Sequence, residues 1–363
     1  MIVGNTAFTY RGKSIDVRQI GRELGVRYVV EGSVRRTGNQ VQMNVQLIDA
    51  ESGTHVWADR FDTDRANLAQ AQIEITGRLA RTLNLELVAA ASRRIEQERA
   101  VDPDARDLVM RARAVSNRTV SVANRQEAQR LFERALEIDP ESVDAKIGIA
   151  NALINIISEG WSSSIQQNEA RAEKLLLEAL EHDANRSDAY GLMGLLRRLQ
   201  NRLAESKIEW ERVIALDRNY SVAYRQLGTT LMFMGQPEAA IPQIEYGIRL
   251  SPHDANMPFA YWGLGFSHLL LGHVEEAIDF LKRARAANPR LHYVYLVLAG
   301  ALGLKGDLDE ARAALAEAIK LEPRVSSFAQ WRAFRPWYWN PQFVALADTT
   351  LYAGLRRVGF PDE

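Results

Sequence analysis

The 363-residue sequence contains no cysteine. That excludes disulfides, thiolate metal sites and a cysteine nucleophile, and it fits a reducing compartment. An excess of charge of one sign is also missing, since 45 Lys and Arg stand against 46 Asp and Glu. No global field therefore draws the chain to nucleic acid or to an anionic membrane. No run approaches the roughly 20 apolar residues of a membrane-spanning helix, and the opening MIVGN has neither the charged nor the apolar region of a signal peptide. The expected location is the cytoplasm, or the periplasm if a longer parent chain carries an upstream membrane span. Histidine is scarce: His55, His182, His253, His268, His273 and His292 show neither HExxH spacing nor a pair one helical turn apart, so no zinc site is expected. The phosphate loop GxxxxGK[ST] and the nucleophile motif GxSxG are absent too. No catalytic, cofactor-binding or metal-ligating residue is expected.

What is present is a recurrence. LFERALEIDP at 131–140, WERVIALDR at 210–218, IEYGIRLSP at 244–252, LKRARAANP at 281–289 and LAEAIKLEP at 315–323 share one pattern. Ala277 and Ala311, Gly265 and Ala299, Leu281 and Leu315, and Pro289 and Pro323 each lie 34 residues apart, the period of a helix–turn–helix solenoid unit. Small residues fall where two helices would cross closely: Gly228, Gly235 and Ala240 in one unit. Gly263 and Gly265 belong to such a helix rather than to a dinucleotide loop, because no strand precedes them.

These residues resemble a tetratricopeptide array over 109–325, with units starting near 109, 143, 187, 221, 258 and 292. Two insertions interrupt it, about ten residues around Ile157–Ile165 and about three at Asp254–Met257; insertions in such arrays map to loops on one face and can serve binding, but tolerated surface loops are the favoured reading because loop lengthening changes the free energy little. Beyond Pro323 the period fails. Trp331, Phe334, Trp337, Tyr338, Trp339 and Phe343 precede an amphipathic helix with Leu346, Leu351 and Leu355. The segment 326–363 is expected to cap the array by covering its last apolar face, a ligand cage being the lesser alternative for its aromatic cluster.

The first ninety residues differ in character. Val17, Ile20 and Leu24 share a helical face, with Gly25 as a left-handed cap. Runs at 27–34 and 41–48 alternate around the Thr37–Asn39 turn and predict a β-hairpin; a third strand is expected at His55–Phe61 and a helix over about 66–87. Strands on one layer and helices on the other make a small α/β (α+β) domain. The blocks NTAFTYRGK (5–13), DVRQIGRELGVRY (16–28), EGSVR (31–35), QLIDA (46–50) and GTHVW (53–57) resemble the TolB amino-terminal-like domain. In bacteria that domain occurs with tetratricopeptide repeats behind class III adenylate/guanylate cyclase or winged-helix regulator domains. The resemblance covers 1–88; the family's first strand and helix, ordinarily ahead of the Ile2–Val3 strand, are absent from it. It implies an incomplete sheet, then a helical connector at 89–108, then an all-α tetratricopeptide superhelix.

In the repeat family, positions 2, 5, 6, 9, 12 and 13 of each unit's first helix line a concave groove. Carried over by register, these give Arg225, Gln226, Thr229, Met232 and Phe233; Phe259, Trp262, Phe266, Leu269 and Leu270; and Tyr293 and Leu296, with Arg198 flanking. The aromatic density suits a partner's helix or extended peptide, and Arg225 is expected at a polar rim. Packing against the neighbouring helix is the equal alternative for the aromatics. Arg113 and Asn117 match half of the family's carboxylate clamp, but Gly148, Asp188 and Leu192 replace its remaining Asn and basic groups. Glu275, Glu276 and Asp307–Glu310 read as helix caps. The resemblance implies a non-catalytic scaffold, the sensory or regulatory half of a bacterial signalling protein, with a protein or peptide as partner and no cofactor. Alternatives are a fragment of a cyclase or winged-helix regulator whose effector domain lies upstream, and a small-ligand sensor acting through the α/β domain.

Overall fold

The computed structural model describes residues 16–24, 26, 28–64, 104–116, 118, 121–252, 254, 256–334 and 340–363. The chain divides into two compact units, 1–101 and 102–363.

In the first unit, helix α1 (Val17–Leu24) precedes strands β1 (Tyr28–Thr37), β2 (Gln40–Asp49) and β3 (His55–Asp64). The strands form an antiparallel sheet of order β1-β2-β3. Gly38, at φ 62°, supplies the left-handed residue that a two-residue hairpin needs. The β1–β2 register runs unbroken from Tyr28↔Asp49 to Thr37↔Gln40. The β2–β3 register shifts between Leu47 and Ile48, and both of these side chains are buried. Val41, Leu47 and Phe61 share one buried face, the alternation that the sequence predicts. Gly21 lies so close to Ala50 that a side chain there would collide with it. The expected strand at Ile2–Val3, the Gly25 cap, the helix over 66–87 and most of the 89–108 connector lie outside the described residues.

The second unit is helical, and its described residues contain no strand. Its helices follow as six consecutive pairs: α2 (Ala105–Ser116) with α3 (Val122–Ile138), α4 (Val143–Ser158) with α5 (Ile165–His182), and α6 (Ser187–Leu199) with α7 (Leu203–Leu216). Then come α8 (Ser221–Phe233) with α9 (Pro237–Leu250), α10 (Met257–Leu270) with α11 (Val274–Ala287), and α12 (His292–Lys305) with α13 (Leu308–Leu321). The first pair begins at Ala105, within the expected connector.

Local chemistry explains many of the helix ends. Asp139, Ser251, Asn288 and Glu322 close four of the second helices in non-helical conformation. Each precedes a proline, whose ring disfavours a helical residue before it. Within the pairs, Asn201, Gly235, Gly272 and Gly306 take positive φ, the left-handed turn that ends a first helix. Gly265 sits against Leu281 and the Ala277 carbonyl, and Gly228 against Ile244 and the Ala240 carbonyl, so the helices cross where no side chain intervenes. Asp307 makes no side-chain cap bond. Instead it shares Lys305 with Glu275, at 3.4 and 3.1 Å, while Glu310 pairs with Lys282 at 3.1 Å. Those acids tie neighbouring units together more than they cap helices.

After a 3-10 turn (Pro323–Val325) come α14 (Phe328–Phe334), α15 (Pro341–Ala347) and α16 (Leu351–Arg357). The expected amphipathic helix through Leu346, Leu351 and Leu355 is broken at Asp348–Thr350. The segment also does more than cover the end of the array. Helix α16 crosses α12 with the Gly354 backbone against the Gly300 carbonyl and Leu351 against Gly300, and Arg357 Nη1 donates to the Leu304 carbonyl at 2.7 Å. Gly300 is a groove position, so the segment folds inward along the concave face.

Candidate partner groove

The fourth and fifth units carry the aromatic face that the register predicts, and the chain itself covers much of it. Phe343 of α15, fully buried, has its ring 5.6 Å from Phe233 and 5.5 Å from Phe266. Gln342 closes over Gly235 so tightly that a side chain at 235 would clash with it. Met232, Phe266, Leu269 and Leu270 are consequently core residues. The other groove residues, Arg198, Arg225, Gln226, Thr229, Phe233, Phe259, Trp262, Tyr293 and Leu296, line a chamber of about 480 Å³ together with Trp331 of α14. Phe259 and Tyr293 are half-buried, whereas Trp262 and Leu296 are buried.

Arg225 does not lie at an exposed rim. It is 2% exposed, and its Nη2 is 2.8 Å from Asp254 Oδ2. The reason lies in the second insertion, which delivers Asp254 beneath the guanidinium; that loop is part of the site. Nη1 of Arg225 and Nε1 of Trp262 are both buried without a hydrogen-bond partner. Thr229 turns its hydroxyl back to the Arg225 carbonyl at 2.9 Å. Arg198 Nη1 donates to Gln226 Oε1 at 2.7 Å, linking the third and fourth units.

The first insertion is likewise engaged. Arg324, just past the last repeat, donates from Nη1 to the Gly160 carbonyl at 2.9 Å and from Nη2 to the Glu159 carbonyl at 3.0 Å. Glu322 holds the same guanidinium at 2.6 Å, and the Phe334 ring lies 3.9 Å from its carbon. Burial pushes the Glu322 carboxyl up, but the hydrogen bonds from Arg324 outweigh it and leave the group below the usual carboxylate range. Gly160 takes φ 70°, which presents its carbonyl to Arg324 without a Cβ in the way. The C-terminal segment thus spans the groove from the sixth unit to the second.

Of the half-clamp, only Arg113 falls on the described residues. Arg113 is committed to Asp144 at 2.9 Å, which also accepts from Arg186 at 2.8 Å; Asn117 lies outside the described residues, as do Trp337, Tyr338 and Trp339. A side chain at Gly148 would meet the Phe132 ring. Chamber residues absent from the sequence-derived set include Asn155, Leu195, Leu199 and Val222. These sit at groove positions 13, 9, 13 and 2 of their units, so the register could have found them. Trp331 belongs to no repeat, and its only signal was its place in the aromatic cluster read as the cap.

Comparison with known proteins agrees with this architecture. Tetratricopeptide-repeat family models match residues 225–292 and 292–325. The chain is 34% identical over 207 residues to a Rhizobium meliloti (strain 1021) protein named "Putative adenylate cyclase 3", covering 57% of this chain and 35% of that protein. It is 27% identical over 197 residues to Protein FlbA of Caulobacter vibrioides, covering 54% and 32%. The chain therefore spans about a third of the length of the curated relatives it matches. A chain in the crystal structure of the APC/C hetero-tetramer Cut9-Hcn1 superposes with a TM-score of 0.56 at 16% identity, covering 66% of this chain and 45% of that one; at that identity the likeness concerns fold alone. Residues 225–325 thus match tetratricopeptide-repeat models, and the helical unit as a whole shares the stacked helix-pair fold.

Proposed function

We propose that this chain is a non-catalytic protein-interaction scaffold, the regulatory half of a bacterial signalling protein, with its amino-terminal sheet belonging to a TolB amino-terminal-like domain. The observation that carries the reading is the stack of six helix pairs with an aromatic concave face, since tetratricopeptide repeats bind proteins and peptides. The signalling assignment is supported by the cyclase name of the Rhizobium relative and by the one third of that protein that this chain spans. Among the described residues no helix is long and apolar enough to cross a membrane. A partner entering between the fourth and fifth units must displace Phe343, because that side chain fills the space between Phe233 and Phe266.

The experiment is a comparison of capture from bacterial lysate by the wild-type chain and by a Phe343→Glu variant, with mass spectrometry of what is retained. A charged side chain cannot remain between two buried rings, so the variant is expected to free α15 and to retain more of one defined protein. Equal capture by both would overturn the groove as the partner surface. Reading the coding sequence upstream of Met1 tests the signalling half: an in-frame cyclase or winged-helix domain is the expected finding, and a frame with no effector domain would overturn it.

A further inference from the structure

The turn between α10 and α11 brings together two histidines, His268 and His273, that the sequence keeps five residues apart. Gly272 takes φ 77° there, the left-handed residue that ends a first helix. The His273 N–H donates to the His268 carbonyl and the Gly272 N–H to the Leu269 carbonyl, both at 2.9 Å. Those paired bonds fold the chain back over the helix end, so the backbone itself sets the two rings side by side.

Their Nδ1 atoms face one another 3.4 Å apart, within hydrogen-bonding geometry, and the ring centroids are 5.7 Å apart. The His268 ring is held by stacking on Phe280, at 5.5 Å and 11°. His268 is half-buried and His273 exposed, so solvent reaches the pair. Although His273 is the N-cap residue of α11, its side chain makes no cap bond. Glu276 and Glu245 are the negative charges that act on His268. Arg283 lies 5.2 Å from the centre of the Phe280 ring and is paired with Asp279 at 3.8 Å. Two imidazole nitrogens bound to zinc at about 2.0–2.1 Å stand about 3.3–3.4 Å apart at the tetrahedral angle and about 2.9 Å apart at a right angle. The separation found here is the tetrahedral one.

We infer that His268 and His273 chelate a divalent cation of tetrahedral preference, zinc, through their two Nδ1 atoms, with the ring protons on Nε2. Among the described residues no group of three His, Asp or Glu side chains is arranged to hold a metal, so water completes the coordination and the site is open. The ion ties the last turn of α10 to the first turn of α11 and stabilises the fifth unit, since whatever binds only the folded chain stabilises it. Spacing along one helix hides this pair, because zinc on a single helix needs ligands one turn apart; the left-handed turn supplies the proximity instead. Neither histidine lines the groove, so this site and the scaffold reading stand or fall separately.

The test is calorimetric titration of the full chain with zinc chloride at up to millimolar concentration in a non-chelating buffer, beside melting with and without zinc. One saturable zinc per chain and a raised melting temperature are expected, with no binding of magnesium, which prefers oxygen ligands. Losing even an outer-shell partner of a ligand weakens a metal about 10–100-fold, so His273→Ala should weaken zinc by at least about tenfold and abolish the rise in melting. His268→Gln should do the same. His182→Ala is the control, because His182 Nε2 and Glu141, 2.6 Å apart, form another close donor pair; it should leave the zinc titration unchanged. Absence of saturable zinc binding, wild-type affinity in His273→Ala, or loss of the zinc in His182→Ala would each overturn the inference and leave the two rings joined by a hydrogen bond only. If His268→Gln melts far below wild type, His273→Ala alone decides, since its side chain is exposed.

Discussion

Phe343 is the side chain on which the closed groove depends, and Phe343→Ala exposes the logic. Helix α15 has seven residues, too few to be stable by itself, so its position rests on what it buries. Within it only Phe343 and Ala347 are fully buried. Truncating a buried phenylalanine to alanine destabilises by about 3–5 kcal/mol when the site cannot collapse. Undocking α15 would cap that loss, because the segment can leave without unfolding the superhelix; helices α8 and α10 would keep their own packing through Trp262 and Leu269. The variant is therefore expected to lose less than a rigid-core truncation, with the loss confined to 340–347. Hydrogen exchange read by mass spectrometry separates the cases. Exchange should rise across α15 while α4 to α7 stay protected, with a melting temperature lowered by only a few degrees. A large drop in melting with uniform exchange across all the repeats would show that α15 is integral to the superhelix. Unchanged exchange at 340–347 would show that Phe343 anchors nothing.

Asp254→Ala strands Arg225 in a buried site and should destabilise by about 3–5 kcal/mol, measured by urea unfolding; a loss below about 1 kcal/mol would mean that the pair is solvated. Trp262→Ala should lower melting as well as any ligand affinity, because the side chain is 3% exposed, and a variant with wild-type melting would put Trp262 at the surface. Ala277→Leu should overpack the crossing with Gly265 and destabilise by about 1–3 kcal/mol, and unchanged melting would refute the repeat register. Burial, with His273 adding to it, holds His268 below the ordinary histidine range. The unfolded chain then binds a proton that the folded chain does not, so this contribution to stability is present above about pH 6.5 and is lost as pH falls towards the lower folded value. His268→Gln should flatten that part of the stability–pH curve, and an unaltered curve would rule the residue out.

The features legible in the sequence are those set by near neighbours. Pre-proline residues end four of the six second helices because the proline ring acts on the residue before it. Gly235 read as a crossing residue, and the structure places it instead in a left-handed turn, as it does Gly272 and Gly306, because that backbone is open to glycine; Asn201 makes the same turn without a glycine. The alternation in β1 and β2 was enough to pair them, since a period of two defines a face. The small residues at 228, 265 and 277 marked the helix crossings for a similar reason: contact between helices of one unit is decided within about 34 residues.

What fills the groove was decided by contacts no local pattern encodes. Arg324 reaches Gly160 across 164 residues, and Phe343 lies between Phe233 and Phe266, pairings that arise only once the superhelix has curved. Arg225 read as a rim residue because arginine is ordinarily exposed; an aspartate from a three-residue insertion holds it inside. Both insertions read as tolerated loops because lengthening a loop changes the free energy little, yet each supplies the acceptor for an arginine of the groove. By itself, then, the sequence determined the period, the helix ends and the aromatic face. The tertiary structure alone decided which aromatics face a partner and which meet the chain's own end, since that choice follows from a curvature summed over six units rather than from any residue's near neighbours.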